Sequence, residues 1–222
     1  MRTRHALIRS AAAAFDSRGY AEATLSLISS GAGVSPGALH FHFENKAAVG
    51  EAVELEAADT LRAIAHHVSV GRSSALQALI DASHMLAHTL VSDVVVRAGF
   101  QLSSETRYAT VSSVREAWLH HVRRMLAEAV DEGSLLPGLG LRRATALIVA
   151  ATTGFEVLGK GDPEWISGHA LTDFWETALP CLATAEALRR LDPAGCPHMS
   201  DEALGCLRGT RGSPVVCSGS GR

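Results

Sequence analysis

The feature that most constrains the fold is a pair of short helical segments around a tight turn near the N-terminus. The turn is formed by residues 31–33 (Gly-Ala-Gly), where glycine tolerates a positive φ. Thr24 can cap the helix before the turn. Ser35 can cap the helix after it, and Pro36 suits the first helical position because its missing N–H would be unpaired there. An amphipathic stretch at residues 4–17 comes first, so the pattern predicts a helix-turn-helix packed on an N-terminal helix.

A helix-turn-helix buries one side of its second helix and leaves the first residues of that helix free for the major groove of DNA. The apolar positions expected to pack together are Ile28, Val34, Leu39 and Phe43, against Ala11 and Phe15. Backbone N–H groups at a helix start and a lysine beside them can meet phosphates. The predicted DNA contacts are Thr24, Ser35, Pro36, Gly37, Ala38, His40, His42 and Lys46, with a packing role for His42 as an equal alternative.

The rest of the chain also follows a helical period, interrupted by glycine and proline. The first helix should stop at Gly19, and no segment alternates long enough to predict a strand. Residues 44–46 (Glu-Asn-Lys) form a polar break before a long fourth helix that is expected to run through about Val68. Further helices are expected at about 73–91, 94–104, 106–132, 141–159 and 170–191. The sequence therefore predicts an all-α fold with an N-terminal three-helix DNA-binding domain at 1–46, a larger helical ligand-binding and dimerisation domain at 47–192, and a disordered tail at 193–222.

Charge and motifs narrow the function. The net charge is −3, but residues 1–46 carry five basic and three acidic groups, so they are mildly basic (+2) and the remainder is acidic (−5). No apolar run reaches the ~20 residues of a membrane span, and no signal peptide is recognisable, which predicts a cytoplasmic protein. There is no Gly-rich phosphate loop, Gly-x-Ser-x-Gly elbow or HExxH motif, so neither an enzyme nor a cofactor is expected.

Histidine and cysteine do not suggest a metal site. The four cysteines, at positions 181, 196, 206 and 217, lie in the last fifth of the chain, and their spacing matches no common zinc pattern. The histidine pairs at 66–67 and 120–121 are adjacent, so on a helix their side chains point in different directions. A reduced tail without metal is the expectation.

Three segments carry a family resemblance: TLSLI at 24–28, GAGVS at 31–35 and GALHFHFENK at 37–46. Together they resemble the signature of TetR-family transcriptional regulators, over about residues 4–50. The sequence of the third segment is most similar to that of the γ-butyrolactone receptor branch from actinomycetes, which usually has tyrosine in place of His40.

The resemblance implies a homodimer that binds a pseudo-palindromic operator and releases it when a small molecule enters the C-terminal domain. In that branch a tryptophan of the seventh helix lines the pocket, and Trp118 stands in the matching place. A threonine before a glycine on the eighth helix also contacts ligand, which fits Thr153. Ala57 replaces a pocket glutamine of some receptors, which favours a pseudo-receptor with a different ligand. The basic arm before the first helix is nearly absent.

The predicted ligand contacts are Trp118, Thr153, Phe100, Gln101, Arg97 and Val122. Trp118 could instead be ordinary core, and Arg97 and Gln101 could bond locally. The apolar eighth helix and the helix around Phe174, Trp175 and Leu179 are expected to form the dimer surface, unless both are buried in a monomer. The predicted function is a ligand-responsive repressor that controls secondary metabolism such as antibiotic biosynthesis. The alternative is a helical ligand-binding or adaptor protein with a degenerate helix-turn-helix.

Overall fold

Ten α-helices run through residues 2–70, 73–104 and 113–195, the parts of the chain that the computed structural model describes. Within those ranges the only β pairing is an isolated bridge between Leu135 and Ala183, and the predicted all-α class is confirmed. A 3₁₀ turn at Pro163–Ile166 was not predicted. The helices are α1 (Arg2–Glu22), α2 (Leu25–Gly31), α3 (Pro36–His42), α4 (Lys46–Ser69), α5 (Ala75–Ser92), α6 (Val94–Leu102), α7 (Val114–Asp131), α8 (Leu141–Leu158), α9 (Gly168–Leu182) and α10 (Ala185–Leu188).

The two short helices begin where the sequence predicts them. The Oγ1 of Thr24 accepts the N–H of Leu27 at 3.2 Å, and the Oγ of Ser35 accepts the N–H of Ala38 at 3.2 Å. Gly33 in the turn has a φ of 68°, a conformation that a side chain would strain. Both caps and the glycine turn are confirmed as a helix-turn-helix.

The predicted stop of the first helix at Gly19 is confirmed. Helix α1 spans Arg2–Glu22, but it consists of two helical pieces that are separated by a kink at Gly19, whose backbone is not helical (φ 77°, ψ 161°). The short second piece, which ends at Glu22, was not predicted.

Two groups of buried apolar residues form the core. The first, here the N-terminal cluster, unites α1, α2 and α3 with the first half of α4 and one face of α6. The predicted packing of Ile28, Leu39 and Phe43 on Phe15 is confirmed, whereas Val34 is only half-buried. The N-terminal cluster consists of Leu7, Ile8, Ala11, Ala12, Ala14, Phe15, Ala23, Ile28, Leu39, Phe43, Val49, Ala52, Val53, Val95, Ala98 and Leu102.

The second group, here the C-terminal cluster, comprises the buried apolar residues from Ala57 to Ala183 on the second half of α4, on α5 and α7–α9, and on the other face of α6. The predicted domain boundary at residue 46 coincides with the first residue of α4. Apolar packing continues across this position, because α4 contributes to both clusters.

The helices α4 and α6 touch almost backbone to backbone. A Cβ placed on Gly99 of α6 would lie 2.4 Å from the Cβ of Ala57 on α4. Non-bonded carbon atoms do not approach so closely, so this crossing requires glycine at position 99. Ala57 is thus a fully buried helix contact.

The last predicted helix, 170–191, was wrong as a single element. It is divided between α9 and α10 because the backbone bonds elsewhere at the break: the N–H of Leu136 donates to the carbonyl of Leu182 at 2.8 Å, and the N–H of Thr184 to that of Ser134 at 2.9 Å. Thr184 then caps α10. The predicted start of the seventh helix at 106 and the tail from 196 onward, with three of the cysteines, lie outside the described residues.

Among the described residues no single helix is long and apolar enough to cross a membrane. The pair α5 and α6 reaches that length and composition only when taken together, and it is bent by 101° at its break.

Candidate functional site

The outward face of α3 carries small and polar residues on a buried anchor. Leu39 is only 1% exposed, whereas Pro36, Gly37 and His40 are exposed and Ala38 is half-buried. The chain therefore presents a rigid seven-residue helix whose free surface permits close approach of another molecule. Of the other predicted DNA contacts, Thr24 and Ser35 are exposed at the starts of α2 and α3, and His42 is half-buried.

The sequence reasoning missed Phe41, whose side chain is 85% exposed on α3. Its ring contacts only the edge of the neighbouring His42 ring among the described aromatic pairs, at a centroid distance of 5.2 Å. The signal was available, because Leu39 and Phe43 share the buried face at i, i+4 and a residue midway between them points away. A large apolar side chain left in water beside His40 is a candidate recognition residue.

Lys46 is engaged with the protein. Its Nζ donates to the carbonyl of Ala21 at 3.0 Å and to that of Ala23 at 2.8 Å, and it lies 4.4 Å from the ring centroid of Tyr20. These bonds satisfy carbonyls at the end of α1, where a cation is also favoured by the helix dipole. Contact of Lys46 with a phosphate stays a prediction, and the structure adds a role in fixing α4 to α1.

Arg97 clamps α6 to α1. Its Nε lies 3.2 Å from each carboxylate oxygen of Asp16, and its Nη2 lies 3.1 Å from Oδ2. Its Nη1 donates to the carbonyls of Leu90 and Val91 at the end of α5, at 3.0 and 2.8 Å. A two-pronged pair of this kind fixes orientation as well as distance. These bonds are the local alternative that the sequence left open, and contact of Arg97 with a ligand stays a prediction.

Gln101 lies one turn further along α6 and also faces α1, its Nε2 3.5 Å from the carbonyl of Phe15. Arg97 and Gln101 do border a cavity of about 390 Å³ where α1, α5, α6 and α8 meet, but Trp118 is absent from its lining. The predicted ligand contacts are therefore divided between two places. The other residues lining this cavity are Asp16, Leu90, Val91, Glu156, Gly159, Lys160, Pro163 and Ile166.

Trp118 is 3% exposed in the C-terminal cluster, and its indole N–H donates to the Oγ1 of Thr152 at 2.9 Å. Thr153, the other residue that the resemblance assigns to the ligand site, lies on a different face of α8 and borders an open groove, because successive residues on a helix are about 100° apart. Contact of Trp118 and Thr153 with a ligand stays a prediction. Val122 and Phe100 are both buried in the same cluster.

A charged network that the sequence reasoning missed joins α6, α7 and α8. Arg115 of α7 donates from Nη2 to the carbonyl of Phe100 at 3.2 Å and to the Oε2 of Glu156 at 2.6 Å, and its guanidinium lies 5.5 Å from the Phe100 ring centroid. Glu156 is 4% exposed, and its Oε1 is 3.1 Å from the Nζ of Lys160. A buried carboxylate needs such partners, and they tie the end of α6 to α8.

The outer face of α8 is open in the single chain. Val157 is 52% exposed and Leu158 46%. They border a groove of about 1070 Å³ between α7 and α8, with Thr153 and Gly154 in its wall. The remaining lining residues are Leu119, Arg123, Leu141, Arg142, Thr145, Ala146, Val149 and Ala150.

The face of α9 that was expected to form the dimer surface packs on α5 of the same chain. Trp175 is fully buried, and its indole N–H donates to the Oγ of Ser83 on α5 at 2.8 Å. Leu179 is buried with it, and Phe174 is half-buried. The expectation that Trp175 and Leu179 offer an outward surface was wrong, because both residues pack on α5.

Comparison with known proteins identifies the helix-turn-helix unit. Residues 7–53 match the family of bacterial regulatory proteins designated tetR. This unit is of the TetR type, and the chain as a whole resembles TetR-family regulators. It is 28% identical to the A-factor receptor protein of Streptomyces griseus, over 91% of this chain and 72% of that protein.

Solved structures extend the similarity to the C-terminal helices. A γ-butyrolactone receptor (ArpA-like protein) has a TM-score of 0.75 and 26% identity, covering 86% of this chain and 94% of that one. The TetR-family protein CprB from Streptomyces coelicolor, solved in complex with its operator sequence, has a TM-score of 0.70 and 26% identity over 85% of this chain and 92% of that one. The regulator is therefore γ-butyrolactone receptor-like over most of its length.

Proposed function

We propose that this protein is a ligand-responsive transcriptional repressor. It binds a pseudo-palindromic operator as a homodimer in the cytoplasm and is released by a small signalling molecule of the γ-butyrolactone or antibiotic class. Its targets belong to secondary metabolism. The proposal is supported by the operator complex of CprB and by the receptor names of the other relatives.

The observation that carries the proposal is the position of α6 between two sets of bonds. Arg97 ties this helix to Asp16 of α1, in the helix-turn-helix unit. At its other end Phe100 meets Arg115, which is bonded to α8. A ligand that shifts α7 or α8 relative to α6 would therefore move α1. It changes DNA binding only by the difference between its affinities for the two arrangements.

A dimer provides the second recognition helix and the additional phosphate contacts that one subunit lacks. Operator recognition by this motif needs two recognition helices about 34–36 Å apart. A charge of +2 on residues 1–46 also provides few phosphate contacts per subunit. The open apolar face of α8, with Val157 and Leu158 exposed, is the surface we assign to the partner subunit.

The first experiment tests DNA binding. The DNA upstream of the protein's own coding region is titrated with full-length protein in a mobility-shift assay at low salt, followed by footprinting. We expect a protected two-fold symmetric site. If no operator-like DNA is retarded, the repressor assignment fails and the protein is a helical ligand-binding or adaptor protein with a degenerate helix-turn-helix.

The second experiment tests release. An extract of a producing culture should dissociate the complex of wild-type protein and DNA. Trp118→Phe keeps an aromatic ring in the core but removes the indole N–H that meets Thr152, so it should bind DNA and respond weakly. Trp165→Phe is the matched control, because Trp165 is 46% exposed on the 3₁₀ turn. Equal responses of both variants would remove Trp118 from the ligand site.

A further inference from the structure

A second cleft, separate from the contact between Trp118 and Thr152, opens between α4 and α7. Its volume is about 440 Å³, which is within the range of small-molecule sites. Apart from Ser69, its polar wall is made of basic and imidazole side chains from both helices, and none of the described residues that line it is a carboxylate. These side chains are Arg62, His66, His120, His121 and Arg124.

The two arginines are held only loosely by the protein. Arg62 pairs with Asp59 on α4, and Arg124 pairs with Glu128 on α7 at 3.3 Å, one turn away on the same helix in each case. All four side chains are at least 31% exposed. Exposed pairs of this type contribute little, so either guanidinium can turn to an anion in the cleft at small cost.

His121 differs from the other residues of the wall because it is only 4% exposed. Its Nε2 is enclosed and has no hydrogen-bond partner among the described residues. Burial, together with the nearby charge of Arg124, lowers the pKa of His121 to about 4, so the ring is neutral near pH 7. A neutral imidazole can donate one hydrogen bond, and a buried nitrogen without a partner is destabilising until one is supplied.

We propose that the cleft between α4 and α7 binds a small organic carboxylate. The carboxylate meets the guanidinium groups of Arg62 and Arg124, and the imidazole of His121 donates to it after a small rotation of the ring. The apolar part of the ligand packs on Leu61 and Val70, which also line the cleft. An apolar floor with a few convergent donors is the composition expected of a small-molecule site.

The cleft is in contact with Trp118 and, through α4, with the N-terminal cluster. The ring of His121 lies 5.7 Å from the ring of Trp118, centroid to centroid. The same α4 whose second half lines the cleft carries Val49 and Val53 into the N-terminal cluster. This inference goes beyond the proposed repressor function, because ligand binding can be measured without DNA. If the acid binds and DNA release fails, the regulatory proposal is wrong and the site stands.

Isothermal titration calorimetry of the full-length protein with 2-naphthoate, and with the uncharged 2-naphthamide, tests the proposal. The two probes have the same shape and differ in charge. We expect 2-naphthoate to bind with a dissociation constant below about 1 mM and at least about tenfold more tightly than the amide. His121→Phe keeps the ring volume, Arg124→Gln removes one guanidinium, and each should weaken binding of the acid about tenfold.

The matched controls are His169→Phe and Arg190→Gln. His169 is an exposed histidine of α9, and Arg190 forms an i, i+4 pair with Glu186, as Arg124 does with Glu128. Neither residue lines the cleft. Both should bind the acid like wild type. Equal affinity for acid and amide, no heat at about 10 mM acid, or an unchanged affinity of both cleft variants would overturn the proposal. Arg124→Gln changes a partly exposed side chain, so it still decides the matter if His121→Phe melts early.

Discussion

Gly99→Ala should loosen the crossing of α4 and α6. The added Cβ would lie 2.4 Å from the Cβ of Ala57, whereas carbon atoms in contact prefer about 3.5–4.0 Å. The helices must therefore separate by more than about 1 Å. Neighbouring backbone atoms of α4, the carbonyl oxygen of Val53 and the Cα of Glu54, lie 3.7 and 3.8 Å from the same point, so a sideways shift offers little relief.

The magnitude follows from two opposed effects. Alanine is favoured over glycine in a helix by about 1 kcal/mol, while overpacking of a tight core costs about 1–3 kcal/mol. The atoms around the added Cβ are a buried methyl group and backbone atoms, so we expect an overpacking cost in the upper part of its range. The net loss of stability should then be about 1–2 kcal/mol. In a chain of this size each kcal/mol lowers the melting temperature by about 2–4 °C. Operator affinity should fall as well, because α6 packs on α1.

The assay is thermal unfolding followed by circular dichroism, with operator binding measured on the same samples. Ala57→Gly in the Gly99→Ala chain transfers the methyl group from α4 to α6, so the clash disappears and the melting temperature should rise again. The single Ala57→Gly variant completes a double-mutant cycle, whose interaction energy should be at least about 1 kcal/mol. A Gly99→Ala protein that is more stable than wild type, or strictly additive effects in the cycle, would refute the argument from the close approach.

Four further outcomes are expected. The pKa of His121 is lowered to about 4 from 6.5, so between these values the unfolded chain binds more protons than the folded chain. The free energy of unfolding, measured with urea, should therefore be about 2 kcal/mol lower at pH 5 than at pH 7. His121→Phe should remove most of this difference, and an equal difference in the variant would exclude His121 as its source. Asp16→Asn should leave operator binding near wild type but weaken release by extract, because the clamp to Arg97 loses its charge; unchanged release in the mobility shift would contradict this. Gly154→Leu has free space within the chain but enters the groove of α8, so sedimentation should show a weaker dimer, and an intact dimer would place the interface elsewhere. If Phe41 touches a thymine methyl group, deoxyuridine in the operator should weaken wild-type binding and leave Phe41→Ala unaffected; equal losses in both proteins would reject that contact.

Local features were predictable from the sequence because their causes are local. Thr24, Ser35 and Pro36 start two helices through bonds that span three residues, and Gly33 turns the chain through its own φ. The break after α9 was not predictable. It depends on backbone bonds from Leu136 and to Ser134, about 50 residues away, and no pattern within the segment records them.

The candidate site was predicted less well than the fold. Trp118 and Thr153 were named through the family resemblance, whereas the bond from Trp118 to Thr152 was not foreseen, because it depends on how α7 and α8 are turned toward each other. Arg97 and Gln101 were named as residues that share a face of the sixth helix and meet a ligand or bond locally. That they bond to α1 depends on where α6 crosses α1, which periodicity does not specify.

The path of α4 has a consequence for engineering and for the evolution of new specificities. Its 24 residues form one uninterrupted rod of about 36 Å that supplies Val49 and Val53 to one core and Ile64 and Val68 to the other. In a chimera joined at residue 46, the transplanted DNA-binding unit would pack on α4 and α6 residues from another protein, including those around Ala98. Exchange of operator specificity between such regulators should succeed by replacing the outward side chains of α3 and should fail when the first three helices are moved as a cassette.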